Sequence, residues 1–358
     1  MRIIHTADLH LDSKIDGLPT NKSKIRREEI VCTFERLVEY AAQNDVKAII
    51  IAGDMFDTAK VTVKTKERVL LAIKKYPQID FLYLSGNHDD ENFISDMENI
   101  PNNLKIFTDE WSSYSYDNVV ISGAVFTSVN AKTIYDTLRL SENNYNVVVM
   151  HGQVAGYKSA ESAELISLPR LKEKYIDYLA LGHIHTFSQG KIDDRANYAY
   201  SGCLDGRGFD ELGDKGFILL DICEKQVDAS FINFSSRNLY EHEYCVDGKN
   251  SWYESCDELI EELVNTYDQK SLIKVVLTGS HDADYYINKE SLTIRLNDLF
   301  FYAKVYDKTE LKIDLSFYKN DKSVRGEFVR AVLDSNLTSE EKNKVIICGL
   351  SALKGEEI

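Results

Sequence analysis

Apolar residues in the first two-thirds of the chain gather in short, nearly unbroken runs rich in Ile and Val, not in a strict alternation. The runs are Ile3–Ala7, Ala48–Ala52, Phe81–Ser85, Val119–Ser122, Val147–Met150, Tyr178–Leu181 and Phe217–Asp221. Runs of this kind suit strands in sheets covered by helices. Between them, Arg26–Gln43 and Lys64–Lys75 read as amphipathic helices. The alternation predicts an α/β layered domain over residues 1–235.

The polar stretch Ser235-Ser236-Arg237-Asn238 predicts a boundary. After it the pattern predicts a strand (Tyr240–Val246), a helix (Tyr253–Tyr267), a strand (Ile273–Thr278), a helix (Ser291–Leu299) and a strand (Glu310–Phe317). That is a small α/β domain over residues 236–320. Residues 321–358 read as a short helical C-terminus: Val324–Ser335, then a helix from Ser339 onward. Thr338 and Glu341 stand at capping-box spacing for the second of these. No internal repeat or low-complexity tract interrupts the pattern.

The length, 358 residues, allows one large and one smaller domain, and 44% hydrophobic content with four prolines is globular. No run of roughly 18 apolar residues is present, so no membrane span is expected. The chain enters a strand at once (Arg2-Ile3-Ile4) with no basic-then-apolar leader. Six widely spaced cysteines without a C-x-x-C pair read as reduced thiols of a cytoplasmic protein. The net charge of −16, from 58 acidic and 42 basic residues, does not advertise the basic face of a protein that grips nucleic acid alone.

The chemistry lies where the strands end. Five segments follow predicted strands: Asp8-Leu9-His10, Gly53-Asp54-Met55-Phe56-Asp57, Gly86-Asn87-His88-Asp89, His151-Gly152 and Gly182-His183-Ile184-His185. In an extended chain residues i and i+2 point the same way, so Asp8 and His10 can reach one ion. Alone, each segment has an ordinary explanation: a turn for Asp54, a cap for Asn87, a chance strand-end histidine for His151. Five of the eight histidines nevertheless fall in these segments, in order, each after a strand. Of the rest, His5 is expected inside the first strand, and His242 and His281 on the surface of the second domain. Oxygen and imidazole donors without thiolate suit manganese or iron better than structural zinc.

The ordered set resembles the calcineurin-like metallophosphoesterase superfamily. More narrowly it is similar to SbcD-type DNA repair exonucleases, bacterial relatives of the eukaryotic Mre nuclease, and its opening His5-Thr6-Ala7-Asp8-Leu9-His10-Leu11-Asp12-Ser13 looks like the YhaO-like branch. Two further blocks carry the likeness. One is Tyr200-Ser201-Gly202-Cys203-Leu204-Asp205-Gly206 with Gly208-Phe209-Asp210-Glu211 and Lys215-Gly216-Phe217; the other is the tail Gly349–Glu357. The resemblance implies a core of two sheets flanked by helices with a small α/β capping domain. It implies one metal on Asp8, His10, Asp54 and His185, and a second on Asp54, Asn87, His151 and His183, with Asp54 bridging. The ions would be two divalent cations, manganese first, with iron or zinc as alternatives. General two-metal chemistry then predicts in-line attack of water on phosphorus. His88 would stabilise the transition state or protonate the leaving alkoxide, with Asp57 holding its ring. Asp12 stands where many relatives have glycine.

The resemblance also implies DNA as substrate, an SbcC-like coiled-coil ABC ATPase as partner, and a homodimer. The chain has no G-x-x-x-x-G-K-[ST], so ATP chemistry would come from the partner. Lys22, Lys24, Arg26 and Arg27, and Arg207 between two glycines, are candidate phosphate contacts; a solvated helix start explains the first cluster equally well. Two other readings compete with the DNA nuclease. One is a phosphodiesterase or phosphatase acting on a small phosphoester or a phosphoprotein. The other is a DNA-end-binding scaffold in which catalysis is incidental.

Overall fold

The computed structural model describes residues 1–57, 61–87, 89, 100–154, 165–223, 226–282, 285–312, 318 and 320–354. In chain order the strands of the first part are β1 (Arg2–Thr6), β2 (Val46–Ala52), β3 (Asp80–Leu84), β4 (Leu104–Ile106), β5 (Ser112–Tyr116), β6 (Val119–Gly123) and β7 (Tyr145–His151). They continue with β8 (Gln153–Val154), β9 (Leu165–Ile166), β10 (Tyr178–Gly182), β11 (Ser188–Lys191), β12 (Asn197–Tyr200), β13 (Gly216–Cys223) and β14 (Gln226–Asn233). Two six-stranded sheets result, in the orders β14-β13-β1-β2-β3-β4 and β11-β12-β10-β7-β6-β5.

The near-continuous apolar strands are explained by burial on both faces. In β2, Ala48, Ile50 and Ala52 join a core that also holds Val147, Val149 and Ala180 of the other sheet, so the two sheets pack face to face. Ile49 and Ile51, pointing the other way, meet Phe34, Leu37 and Val38 of α1 (Thr20–Gln43) and Val69 and Ile73 of α2 (Val63–Lys75). Beyond the second sheet, Val148, Met150, Leu179 and Leu181 pack on Ile134, Tyr135, Ile166 and Leu171. The layers are helix, sheet, sheet, helix. His5 sits buried within this inter-sheet layer as expected, Nδ1 2.9 Å from the Tyr178 hydroxyl and Nε2 3.2 Å from the Leu181 carbonyl.

The chain divides into compact units Met1–Tyr240 and Glu241–Ile358. The stretch Ser235–Asn238, expected as a boundary, is bound into the first unit. Ser236 donates through N and Oγ to Asp205, and Arg237 forks onto Glu29.

β15 (Leu239–Cys245), most of which lies in the second unit, forms a sheet with β16 (Leu272–Thr278) and β18 (Tyr302–Asp307), with β16 and β18 parallel. The third strand of this sheet is therefore Tyr302–Asp307, not the expected Glu310–Phe317. Of that stretch, β19 (Glu310–Lys312) pairs with β17 (Ser280–Asp282), and 313–317 lie outside the described residues. Helices Trp252–Thr266 and Lys289–Leu299 accompany the sheet, and helices Val324–Leu333 and Ser339–Lys354 share a small core of Val329, Val332, Ile346 and Leu350. The Thr338–Glu341 capping box forms: each main-chain N donates to the other's side chain. His242 and His281 are half-buried rather than surface residues. His242 stacks edge-on against Tyr267, and His281 lies against Tyr285.

Candidate metal centre

Asp8 and His10 follow β1, Asp54 and Asp57 follow β2, Asn87 follows β3, His151 ends β7, and His183 and His185 follow β10. The carboxyl ends of strands from both sheets thus deliver side chains to one place, where open α/β sheets hold ligands. His88 lies outside the described residues. Asp8, His10, Asp54, His151 and His183 are buried, and Asn87 is exposed.

The backbone is bent to make this possible. Asp8 (φ 51), His10 (φ 44), Asp54 (φ 52) and His183 (φ 100) all adopt left-handed conformations. Such conformations cost roughly 1–3 kcal/mol each and persist only where surrounding bonds hold them. Here Asp8 N donates to Gly53 O at 3.0 Å and His10 N to Asp54 O at 3.0 Å, lacing the two loops together. His183 N donates to both Asp8 oxygens, at 2.9 and 3.1 Å. A methyl group on Gly53 would overlap the His151 ring, and one on Gly86 would overlap the Asp54 carboxylate, so glycine lets the main chain come this close. Asp89 ties the third loop in, accepting from Gly86 N (2.8 Å), Phe56 N (2.9 Å) and Met55 N (3.3 Å). Burial, with Asp54 nearby, pushes its carboxyl up to about 6 against the pull of those main-chain donors.

The histidine tautomers follow from what stands behind each ring. His151 Nδ1 lies 2.9 Å from the Ala52 carbonyl, which can only accept. In the neutral ring Nδ1 therefore carries the proton and Nε2 a lone pair. That Nε2 faces Asn87 Oδ1 at 3.0 Å and Asp54 Oδ2 at 3.4 Å, both acceptors. His10 Nδ1 lies 3.0 Å from Asp57 Oδ1, and His185 Nδ1 2.7 Å from Glu211 Oε1. Their Nε2 lone pairs then face each other at 3.1 Å. Lone pairs converge in this way only around a proton or a cation. One donor atom from each of Asp8, His10 and His185 lies within 4.8 Å of the others, and the same holds for Asp8, Asp54 and His151. Oxygen and nitrogen donors, most of them buried, around two overlapping foci fit divalent cations.

Asp57 was expected to steady His88, which lies outside the described residues; among the described residues its partners include His10 and Arg207, whose Nη1 lies 3.3 Å away. Burial raises the Asp57 carboxyl, but the His10 hydrogen bond and the Arg207 charge outweigh it and hold it at about 2. Glu211, given no role from sequence, is opposed by burial in the same way and held well below the usual carboxylate range by His185 and Arg207. Arg207 is turned toward Glu211 and Asp57 instead of presenting its guanidinium to a phosphate. Arg26 is fully buried, paired to Asp205 at 2.7 Å and Glu29 at 2.7 Å, so it is no phosphate contact either. Arg27 pairs with Asp12 at 2.6 Å.

Curated relatives match along much of the chain. The DNA double-strand break repair protein Mre11 of Saccharolobus solfataricus is 25% identical over 384 residues, covering 100% of this chain and 96% of that protein. The SbcD component of the nuclease SbcCD of Staphylococcus epidermidis is 21% identical over 386 residues, covering 96% and 97%. The uncharacterized metallophosphoesterase YhaO of Bacillus subtilis is 25% identical over 244 residues, covering 64% and 60%. The profile of the calcineurin-like phosphoesterases matches residues 1–187, the span that holds Asp8, His10, Asp54, Asp57, Asn87, His151, His183 and His185 but not Asp205, Arg207 or Glu211. The chain belongs to the calcineurin-like phosphoesterases, and is a metal-dependent hydrolase of phosphoester bonds.

Proposed function

We propose that the chain is a two-metal DNA phosphodiesterase of the SbcD type, an exonuclease or endonuclease in DNA repair. The observation that carries the hydrolytic reading is the convergence of imidazole lone pairs and carboxylate oxygens on two overlapping foci. The choice of DNA is supported by similarity, over nearly the full length of each chain, to proteins named for double-strand break repair and for a component of a nuclease.

One ion would sit on Asp8, His10, Asp54 and His185, the other on Asp54, Asn87, His151 and His183, with Asp54 between them. Asp8 belongs to both donor groups and backs the shared edge. Bound divalent ions, manganese by preference over iron or zinc for this donor set, would polarise a phosphoryl oxygen and activate water. Asp57, Glu211 and the Ala52 carbonyl keep protons on the Nδ1 atoms of His10, His185 and His151, so that each Nε2 is available. His88 would protonate the leaving alkoxide or steady the charge on it. Its motif supports that role.

The small α/β part, residues 236–320, would serve as a capping domain. The helical segment 321–358 would meet an SbcC-like coiled-coil ABC ATPase, which would also supply the DNA grip that a net charge of −16 withholds. A homodimer through the first domain and a cytoplasmic location complete the reading. The location is supported by free cysteines throughout and by the lack, among the described residues, of any helix long and apolar enough to cross a membrane.

The acidic charge, with Arg26, Arg27 and Arg207 already paired to the chain's own carboxylates, favours one alternative: a small phosphoester or phosphoprotein as substrate. Purified protein with manganese and end-labelled double- and single-stranded DNA, beside a cyclic phosphodiester, separates the two. The nuclease reading expects DNA shortening that falls about 10²- to 10⁴-fold in His88→Ala while metal binding is kept. Brisk turnover of the small ester with intact DNA would replace it.

A further inference from the structure

Both carboxylates behind the His10–His185 pair are touched by one side chain. Arg207 places Nε 2.9 Å and Nη2 2.8 Å from Glu211 Oε1, and its main-chain N donates to Glu211 Oε2 at 2.7 Å. On its other edge Nη1 lies 3.3 Å from Asp57 Oδ1 and 3.4 Å from Ser13 Oγ. Those same two oxygens, Glu211 Oε1 and Asp57 Oδ1, accept from His185 and His10.

We propose that Arg207 is a positioning residue for the His10–His185 half of the metal centre, a fork that sets both carboxylates at once and so aims both Nε2 atoms; this rests on the two-ion reading above. A planar guanidinium offers five donors in fixed directions and can hold two carboxylates together, whereas an ammonium is a point charge on a flexible stem. The side chain is only 19% exposed, which limits screening by water.

The loop that carries it is anchored. Asp205, at its start, is fully buried and accepts from Arg26 Nη2 (2.7 Å), Thr33 Oγ1 (2.8 Å) and Ser236 N (3.0 Å). Gly206 O accepts from Arg26 at 2.6 Å, and a methyl group on Gly206 would strike Leu239. The buried Arg26–Asp205 pair thus acts as the footing of the clamp, which gives a use to two charged residues that hold no ion themselves. Arg207 reaches His10 through Asp57 and His185 through Glu211, with its Nη2 also 3.5 Å from His185 Nδ1, and acts by orientation.

The test is a manganese titration of the full chain, with free Mn²⁺ read by electron paramagnetic resonance, for wild type, Arg207→Met and Arg207→Lys. Circular dichroism checks the fold of each. The expected result is a loss of about 10- to 100-fold in affinity for one ion, the range for removing a group that orients a metal-binding histidine, with the other ion's affinity unchanged. Lysine does not restore it. Wild-type affinities in Arg207→Met, equal weakening of both ions, or full restoration by lysine would overturn the clamp. Should Arg207→Met fail to fold, Arg207→Lys alone decides between restored and lost affinity. Wild type that binds no manganese refutes the two-ion reading itself, an outcome distinct from any of these.

Discussion

The two halves of the metal centre use the same imidazole but differ in what stands behind it. His10 and His185 donate to carboxylates, Asp57 and Glu211, which share Arg207. His151 donates to the main-chain carbonyl of Ala52, and its Nε2 neighbour is the amide oxygen of Asn87. Both arrangements fix the tautomer. A carboxylate does more: it strengthens the ring as a donor by favouring positive charge on it. The half built on His10 and His185 is therefore expected to hold its ion more tightly, and the half built on His151 to be the more exchangeable.

In the proposed two-ion arrangement Asp54 serves both halves, so its loss should break the comparison altogether. Asp54→Asn would remove the charge that this arrangement puts between both ions. Turnover is expected to fall on the order of 10²- to 10⁴-fold, the rate equivalent of several kcal/mol of charge stabilisation, measured on whichever phosphodiester the wild type hydrolyses. Retention of wild-type turnover would remove Asp54 from the site.

Glu211→Gln sharpens the comparison, since glutamine keeps an oxygen acceptor for His185 Nδ1 while removing the charge and the acceptor that Oε2 offers Arg207 N. Affinity for the tighter ion should drop about 10- to 100-fold while the weaker ion is unaffected.

The smallest effect concerns His5, the histidine that belongs to neither half. Burial, only partly offset by the Leu181 carbonyl, lowers its pKa to about 3 from the ordinary 6.5. The unfolded chain takes up a proton below 6.5 that the folded chain refuses until about 3. Stability is thus fully kept above 6.5 and is lost as pH falls through that window, at about 1.4 kcal/mol per pH unit. His5→Leu loses the bonds to Tyr178 and Leu181 and is expected to be less stable at pH 7. The gap to wild type should narrow in urea unfolding at pH 6 and pH 5. A gap that stays constant would mean that His5 is not held neutral.

The interior strands were legible because both faces are apolar, and Ala48–Ala52 and Tyr178–Leu181 read as strands at once. The edges were not. β4, β5, β11 and β14 flank the two sheets, and Ser112–Tyr116 and Ser188–Lys191 carry the polar side chains that an edge tolerates. The donors that end strands were legible for the same reason as the strands. Their supports were not, because support is long-range: Glu211 stands 26 residues from His185, and Asp205 stands 179 from Arg26. Sequence displays the charge of Arg26 and of Arg207 but not the carboxylate each is matched to, so both read as free to meet phosphate. Asp57 was expected to steady His88, which lies outside the described residues; among those described, the ring beside it is His10.

The most direct measurement is the manganese stoichiometry and affinity of the wild-type chain beside Glu211→Gln, by equilibrium titration. Two ions per chain with unequal affinities, and loss confined to the tighter one in the variant, is the result predicted. A single ion, or two that weaken together, would contradict a centre built from two unequally supported halves.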